Sequence, residues 1–558
     1  MKKAIMTLAG AILCCAPVFS QSLTYGEAVS RNEFGCYTGV FPSPDGTLEA
    51  VYTKDESEVS DFPLLDITTR TGSLISIKYP MNGMPSEKLA LCVRDTLGNI
   101  LSTMKVTDFT DERYLTGVTW SPDGKYIFIQ VLDRSQHHLK LNMYRAMDGT
   151  FVRTILTEDN DAWVEPLDPL HFVKGTYSFI YRTDNRDGYR NLYLCDTLGT
   201  VERLTKVDAD VEYAGNDGRY LYYTSAEVSP VENHLFRIDM KHTRKPPVRL
   251  TAESGWHDVK VDDACSTFRD RWSSVDEFWK IAVKSCSDGG IISQKPSPKD
   301  AETHSLVELG TVRSADGLYD NYYRIVKPEG FDSTKTYPMV LYVYGGPHSQ
   351  MVTDSWRAQS RVWEDMMARR GYVVYVQDNR GTQRRGAAFE KAINRACGKA
   401  EAADQMVGVR MMLGKSWIDS SRVGVYGWSY GGFMTITLKT AHPDIFKVAV
   451  AGGPVIDWKW YEVMYGERYM DTPESNPEGF EATSLMNRTG DVSGKLLIIQ
   501  GAIDKTVVWQ HSLNFVQKCI ENDIQVDYFP YPRSAHNVSG PWRKHLQEKI
   551  CTYFEENL

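Results

Sequence analysis

The sequence predicts an N-terminal β-propeller joined to a C-terminal α/β-hydrolase domain. Three observations carry that expectation. A Ser-Pro-Asp-Gly turn recurs ahead of strand-like runs in the first half of the chain. In the second half, apolar strand-like runs alternate with helical patterns. Between one such strand and the next helix lies Gly427-Trp428-Ser429-Tyr430-Gly431, which fits G-x-S-x-G.

The chain has 558 residues, so more than one domain is expected. Its hydrophobic and charged content is that of an ordinary globular protein. A net charge of −9 speaks against a nucleic-acid partner, which needs a basic surface. With 31 Tyr and 13 Trp the chain suits β-rich architecture.

Residues 1–20 read as a secretory signal. Lys2 and Lys3 form a basic start, and Ala4 to Val18 is an apolar run too short to span a membrane comfortably. Val18-Phe19-Ser20 precedes a cut ahead of Gln21; the competing reading is a buried N-terminal segment. No comparably long apolar run follows, so no membrane span is expected and the product is exported, periplasmic or secreted. Of ten cysteines, Cys14 and Cys15 fall in the signal and the others are scattered without a C-x-x-C. Zinc-finger and thioredoxin chemistry therefore have no support. In an exported protein some of them could pair, and the rest read as small buried hydrophobes.

Residues 21–305 have the texture of short strands and polar turns. Phe41-Pro42-Ser43-Pro44-Asp45-Gly46 returns as Thr119-Trp120-Ser121-Pro122-Asp123-Gly124. In such a turn Pro presets φ, Asp bonds the backbone and Gly takes φ > 0. Weaker echoes are Asp95-Thr96-Leu97-Gly98, Asp184-Asn185-Arg186-Asp187-Gly188 and Asn216-Asp217-Gly218. Turn–strand units at blade-like spacing point to a propeller, with a β-sandwich as the alternative. His137-His138 and Asp159-Asn160-Asp161 lack metal-ligand spacing and read as solvated loop. No metal or cofactor is called for.

Ser293-Gln294-Lys295-Pro296-Ser297-Pro298-Lys299-Asp300 is polar and proline-bearing, as linkers are. Residues 306–558 follow. Strand-like runs at Met339–Tyr344, Tyr372–Val376, Val423–Tyr426, Val448–Ala451 and Lys495–Gln500 are separated by helical patterns at Ser355–Arg370, Ala400–Leu413 and Phe433–Thr440, with a last helix from Trp542. Such alternation means a mostly parallel sheet covered on both faces.

A G-x-S-x-G serine sits on a strained strand-to-helix turn, with glycines where a side chain would collide with backbone. In this fold the partners follow in the order Ser, Asp or Glu, His. Asp504 lies just past the run Leu496–Gln500, and His536 lies just past Val526–Tyr531. All three fall on loops leaving C-terminal strand ends, where open α/β sheets place their sites. His511 and His545 read as helical surface residues. Ser429, Asp504 and His536 thus form a candidate nucleophile, orienting acid and base, and the Tyr430 N–H is a candidate oxyanion donor.

With Tyr342-Val343-Tyr344-Gly345-Gly346-Pro347 and Asp378-Asn379-Arg380-Gly381-Thr382, these residues resemble the prolyl oligopeptidase family, and more narrowly its dipeptidyl peptidase IV branch. Trp163-Val164-Glu165-Pro166-Leu167 and Arg186-Asp187-Gly188-Tyr189 are similar to propeller sequence of that branch. The resemblance covers essentially all of the chain after residue 20. It implies a propeller capping the hydrolase, peptides bound between the two, and the Tyr344 hydroxyl as second oxyanion donor. It implies that Val455, Trp458, Tyr461, Tyr465, Tyr430 and Val507 enclose a substrate proline. Trp458, Tyr461 and Tyr465 have the i, i+3, i+7 spacing of one helix face, which also fits an ordinary amphipathic helix packed on the core. Glu462 falls on the same face.

In the prolyl tripeptidyl peptidases of this branch a Glu at that place pairs with a propeller Glu to hold the substrate α-ammonium. Glu33, in Arg31-Asn32-Glu33-Phe34, is the candidate partner, or else an exposed turn residue. Dipeptidyl peptidase IV uses two adjacent glutamates in that segment, whereas here Asn32 precedes a single Glu. The reading is therefore release of Xaa-Yaa-Pro tripeptides from proline-containing peptides, with Xaa-Pro dipeptide release, or peptide binding with little turnover, as alternatives. The family's first blades have no counterpart, so the propeller reads as shortened at its start. Nor does the arginine those blades contribute to the substrate carbonyl. Thr506 replaces a family asparagine, and a homodimer stays open.

Overall fold

The computed structural model describes residues 24–25, 38–166, 168–296 and 305–558. The expected signal lies outside them. The N-terminal half is a series of antiparallel meanders, five among the described residues. The first is built on Val40–Pro42, Leu48–Asp55, Lys88–Asp95 and Ile100–Thr103. Four more follow between Tyr114 and Lys295, each of four strands paired in chain order. This is the propeller texture that the turns predict.

The Ser-Pro-Asp-Gly turns join first to second strand in two of the blades. The Gly46 N–H donates to Ser43 O at 2.9 Å, and Gly46 takes φ +71°. The Gly124 N–H donates to Ser121 O at 2.9 Å, with φ +69°. Of the echoes, Asn216-Asp217-Gly218 joins first to second strand as well, and two serve other corners. Asp95–Gly98 joins third to fourth strand, and the Asp184–Gly188 loop joins second to third. Ser314-Ala315-Asp316-Gly317 makes the same turn in the other half of the chain, between two strands of its sheet. Turn chemistry marks a reversal without saying which reversal it is.

Between the second and third strands of the first blade a hairpin, Asp61–Asp66 with Ser73–Lys78, leaves the propeller. Its inner side chains Phe62, Leu64 and Tyr79 pack on Val508. On its outer face the paired Leu65 and Leu74 are exposed, and Ile67 and Ile75 are exposed nearby.

The second half is one eight-stranded sheet. Its strands are β1 (Leu306–Arg313), β2 (Asp320–Lys327), β3 (Tyr337–Tyr342), β4 (Val373–Gln377), β5 (Ile418–Trp428), β6 (Phe446–Gly452), β7 (Lys495–Gly501) and β8 (Asp527–Tyr531). The order across the sheet is β1-β2-β4-β3-β5-β6-β7-β8, parallel from β4 onward, with β1 and β2 antiparallel at one edge. Every residue of β4 is buried, as expected where both faces of a parallel sheet are covered. The covering helices are α1 (Val362–Arg369), α2 (Lys399–Leu413), α3 (Tyr430–Ala441), α4 (Val463–Met470), α5 (Gln510–Glu521) and α6 (Trp542–Asn557). The helical pattern at Ser355–Arg370 is broken: Arg357, Ala358 and Gln359 have positive φ, and α1 starts only at Val362. Arg324 is bonded against that detour. Its guanidinium is wholly buried, bonds Glu364 at 2.6 and 2.9 Å, and takes the carbonyl of Ala358 as well.

Cys92, Cys195, Cys265, Cys286, Cys397, Cys519 and Cys551 are buried free thiols. Among the described residues no helix is long and apolar enough to cross a membrane.

Burial also leaves carboxyls that hold their protons. Glu158, at the end of its blade's outer strand, accepts from the Thr183 hydroxyl at 2.9 Å, and burial pushes its acid up to about 7. Between pH 4.5 and 7 the folded chain keeps a proton that the unfolded chain releases, so this group's contribution falls as pH rises. The imidazoles of half-buried His171 and fully buried His511, depressed by desolvation, act in the opposite sense. A difference measurement isolates the acid. The stability of Glu158→Gln relative to the parent should rise by about 3 kcal/mol from pH 4.5 to pH 7.5, read from urea midpoints. A pH-independent difference would contradict it.

Candidate active site

Ser429 sits between β5 and α3 with φ +62° and ψ −120°. A non-glycine residue is costly there and persists only when its surroundings over-determine it. The surroundings do. The Ser429 N–H donates to Gly452 O at 2.7 Å, and its carbonyl accepts from Phe433 N at 3.1 Å. A Cβ on Gly427 would lie 2.2 Å from Gly431 O and 2.4 Å from Val343 O, and one on Gly431 would lie 2.3 Å from Val343 O. The two motif glycines are thus required by close backbone approach. The turn leaves the serine half-buried at the mouth of a cavity of about 490 Å³.

Asp504 is fully buried just past β7. One oxygen accepts from the backbone N–H groups of Thr506 (2.8 Å) and Val507 (3.0 Å). The other accepts from Gln500 Nε2 (3.1 Å) and from His536 Nδ1 (2.6 Å). An ionised carboxylate only accepts, so His536 donates through Nδ1 and keeps Nε2 free to take a proton. His536 lines the same cavity as Ser429.

Tyr344, Tyr430, Val455, Trp458, Tyr461 and Tyr465 line the cavity too. Trp458 is the centre of the group. Its ring stacks on Tyr465 (6.1 Å, 15°), meets Tyr461 edge-on at 5.5 Å and lies 5.6 Å from Tyr430. The shared helix face is a correction. Trp458–Trp460 is a single turn closed by Asp457, Tyr461 is extended, and α4 begins at Val463 with Glu462 as its N-cap. The rings converge because the chain reverses between two caps, a path that i, i+3, i+7 spacing does not describe.

Glu462 is buried, and its carboxylate accepts from Tyr465 N at 3.2 Å. Its backbone pairs with Met81, flanked by Val463 N to Pro80 O (2.9 Å) and Asn82 N to Tyr461 O (3.0 Å). Buried Glu87 of the propeller, pushed up to about 7 by burial, also feels Glu462. Glu33 lies outside the described residues. Val507 is fully buried behind the cavity wall, where its N–H holds Asp504. His545 is exposed as expected, but His511 is not: it is fully buried, and its Nδ1 accepts from Ile456 N at 3.0 Å. His137 is likewise no loop residue in water, since it reaches Asp471 at 3.3 Å.

Several site residues escape sequence reading. Arg134 of the propeller clamps Glu467 on α4 with two bonds, at 2.7 and 3.0 Å, and also reaches Glu112 at 2.6 Å. Tyr79 of the hairpin donates to Thr506 O at 2.7 Å, so the propeller grips the loop that holds Asp504. Glu401, pushed up to about 7 by burial, accepts from the Tyr430 hydroxyl. Each link spans tens to hundreds of residues. Among the described residues two acid–histidine clusters have metal-like spacing, but both already contain a cationic side chain. Arg190 sits 2.8 Å from Glu390 and 3.2 Å from Glu165 beside His348, and Lys284 sits 2.7 Å from Glu253 and 2.9 Å from Asp270 beside His257.

Gly453 did leave a signal, the Gly452-Gly453-Pro454 run after β6. It has φ +47°, and a Cβ there would lie 3.2 Å from His536 Cε1 and 3.4 Å from Nδ1. Gly453→Ala should push the imidazole off Asp504. The low-field Nδ1 proton resonance should disappear, and labelling of Ser429 by a fluorophosphonate should slow by about tenfold or more. Wild-type labelling in a folded variant would show that the ring has room.

Residues 358–558 match the prolyl oligopeptidase family, and residues 20–279 match the dipeptidyl peptidase IV (DPP IV) N-terminal region. Dipeptidyl peptidase 8 of Mus musculus is 26% identical over 95% of this chain and 69% of its own length. A solved Bacteroides ovatus protein assigned as a dipeptidyl aminopeptidase IV superposes with a TM-score of 0.92. It is 37% identical, over 97% of this chain and 80% of that one. Porphyromonas gingivalis dipeptidyl peptidase 4 gives 0.89 at 26% identity, over 96% and 77%. The chain therefore belongs to the prolyl oligopeptidase family of serine peptidases, with a dipeptidyl peptidase IV-like propeller region ahead of its catalytic half.

Proposed function

We propose that the protein is an exported exopeptidase that cleaves after proline near the free amino terminus of peptides, releasing Xaa-Yaa-Pro tripeptides. The observation that carries it is the aromatic-walled cavity opening onto Ser429, beside the bonded pair His536–Asp504. A pyrrolidine ring buries apolar area against Trp458, Tyr461, Tyr465 and Val455 without asking for a donor. Ser429 attacks the proline carbonyl while His536 Nε2 takes its proton. Asp504 holds the ring and stabilises the imidazolium. The oxyanion is received by the Tyr430 N–H, at the start of α3, and by the Tyr344 hydroxyl. His536 then protonates the leaving amine, and water resolves the acyl-enzyme. Export rests on Lys2-Lys3 and the apolar run Ala4–Val18.

Tripeptide length rests on Glu462, held at the propeller seam as a counter-charge for the substrate ammonium, with Glu33 as its proposed partner. Dipeptide release is the second reading, favoured by the dipeptidyl names of the relatives. A homodimer is also part of the proposal, through the exposed apolar face of the hairpin.

Chromogenic Xaa-Yaa-Pro and Xaa-Pro anilides separate the two lengths. The tripeptide should have the higher kcat/KM, and Ser429→Ala should abolish turnover of both. Faster dipeptide cleavage would overturn the tripeptide reading, and no turnover by the wild type would favour a binding protein. Glu462→Gln should raise KM about tenfold or more for a free amino terminus, and little for the N-acetylated substrate, whose turnover is already poor. Equal effects on both would remove Glu462 from amine recognition.

A further inference from the structure

The cavity continues past Ser429, away from Trp458 and over the buried rings of Tyr342, Trp363 and Tyr426. Beyond Trp428 its wall is made by Asn537 and Ser539, just after His536, and by Arg543 and Gln547 on the first turns of α6. Arg361, immediately before α1, closes it.

The charge of that wall is one-sided. Among the described residues, the charged side chains lining the cavity besides His536 are Arg361 and Arg543, and no carboxylate lines it, in a chain of net charge −9. Both arginines are exposed. Among the described residues no carboxylate lies within ion-pair distance of either. Arg361 donates to the Tyr342 hydroxyl and lies 4.9 Å over that ring. Both cations also act on the buried phenol of Tyr426, favouring its ionised form, so their fields overlap at one place. The start of the 16-residue α6 carries no side-chain cap, which adds a positive end to the same wall.

The chemistry says what passes there. His536 hands its proton to the departing amine, so the leaving peptide emerges on the His536 side, while the proline ring occupies the aromatic side. We propose that Arg361 and Arg543 form a subsite for a carboxylate of the leaving peptide, either an acidic side chain shortly after the cleaved bond or the C-terminus of a short product. The proposal rests on the peptidase reading above. Guanidinium groups suit the role, because they present paired donors to a carboxylate at any working pH.

The test is a peptide series with one cleavable N-terminal segment and varied residues after the proline. One arm carries Ala-Asp, Ala-Asn or Ala-Lys ahead of a C-terminal amide. The other ends in Ala-Ala as a free acid or as an amide. The Asp peptide, the free acid or both should be cleaved about tenfold faster in kcat/KM than their neutral partners, with Lys slowest. Which arm responds identifies the carboxylate. Arg543→Glu should invert the Asp-to-Lys order, and Arg361→Gln should shrink the ratio. Raising the salt should shrink it too. Equal kcat/KM across both arms, or an order unchanged in both variants, overturns the subsite while leaving the peptidase reading intact, since the anilides carry no leaving peptide. No hydrolysis of peptides and anilides alike overturns both.

Discussion

Asp504 is the group on which the site is hung. Its carboxylate is buried, and among the described residues it is satisfied by two backbone N–H groups, one amide and one imidazole. A buried charge is tolerated only when its lone pairs are met in this way. Each donor ties down a different piece. Thr506 and Val507 set the loop after β7, and Gln500, held in turn by Ser512 of α5, sets the end of the strand. His536 sets the loop after β8. Because the Thr506 carbonyl also accepts from Tyr79, the same node reaches across into the propeller hairpin.

The pocket wall depends on the propeller in a second way. Helix α4 has only eight residues, too few to hold its shape alone. Its start is pinned by backbone pairing with Met81 and its middle by the Arg134–Glu467 clamp. Gln136 adds a bond to Met464 O. A cation bound at two points to a buried carboxylate is among the stronger polar contacts available. Tyr465 therefore faces Trp458 because residues far away in the chain hold its helix. The propeller is part of the pocket's construction.

How much was legible in the sequence follows from the range of each interaction. The alternation of strand and helix and the elbow glycines come from contacts within a few residues, and apart from the broken Ser355–Arg370 pattern the structure has them where they were expected; the Ser, Asp, His order came from the fold class, and the structure bonds Asp504 to His536. The aromatic residues meet as expected too, but by another route, since the caps at Asp457 and Glu462 break what looked like one helix. His511 shows the same failure in reverse. Its helical setting was readable, whereas its burial depends on the Ile456 segment docking against it.

Local chemistry settled the fold class and the strained serine turn, and nominated Asp504 and His536 as the serine's two partners, because covalent geometry and nearest-neighbour sterics allow little else. Folding in three dimensions settled which surfaces face the serine: the capped aromatic wall on one side, the arginine wall on the other, and the propeller contacts that hold the aromatic wall and the Asp504 loop. Those depend on pairs such as Tyr79 with Thr506 and Arg134 with Glu467. Their free energy comes from burial and hydrogen bonding between segments that the linear order keeps hundreds of residues apart.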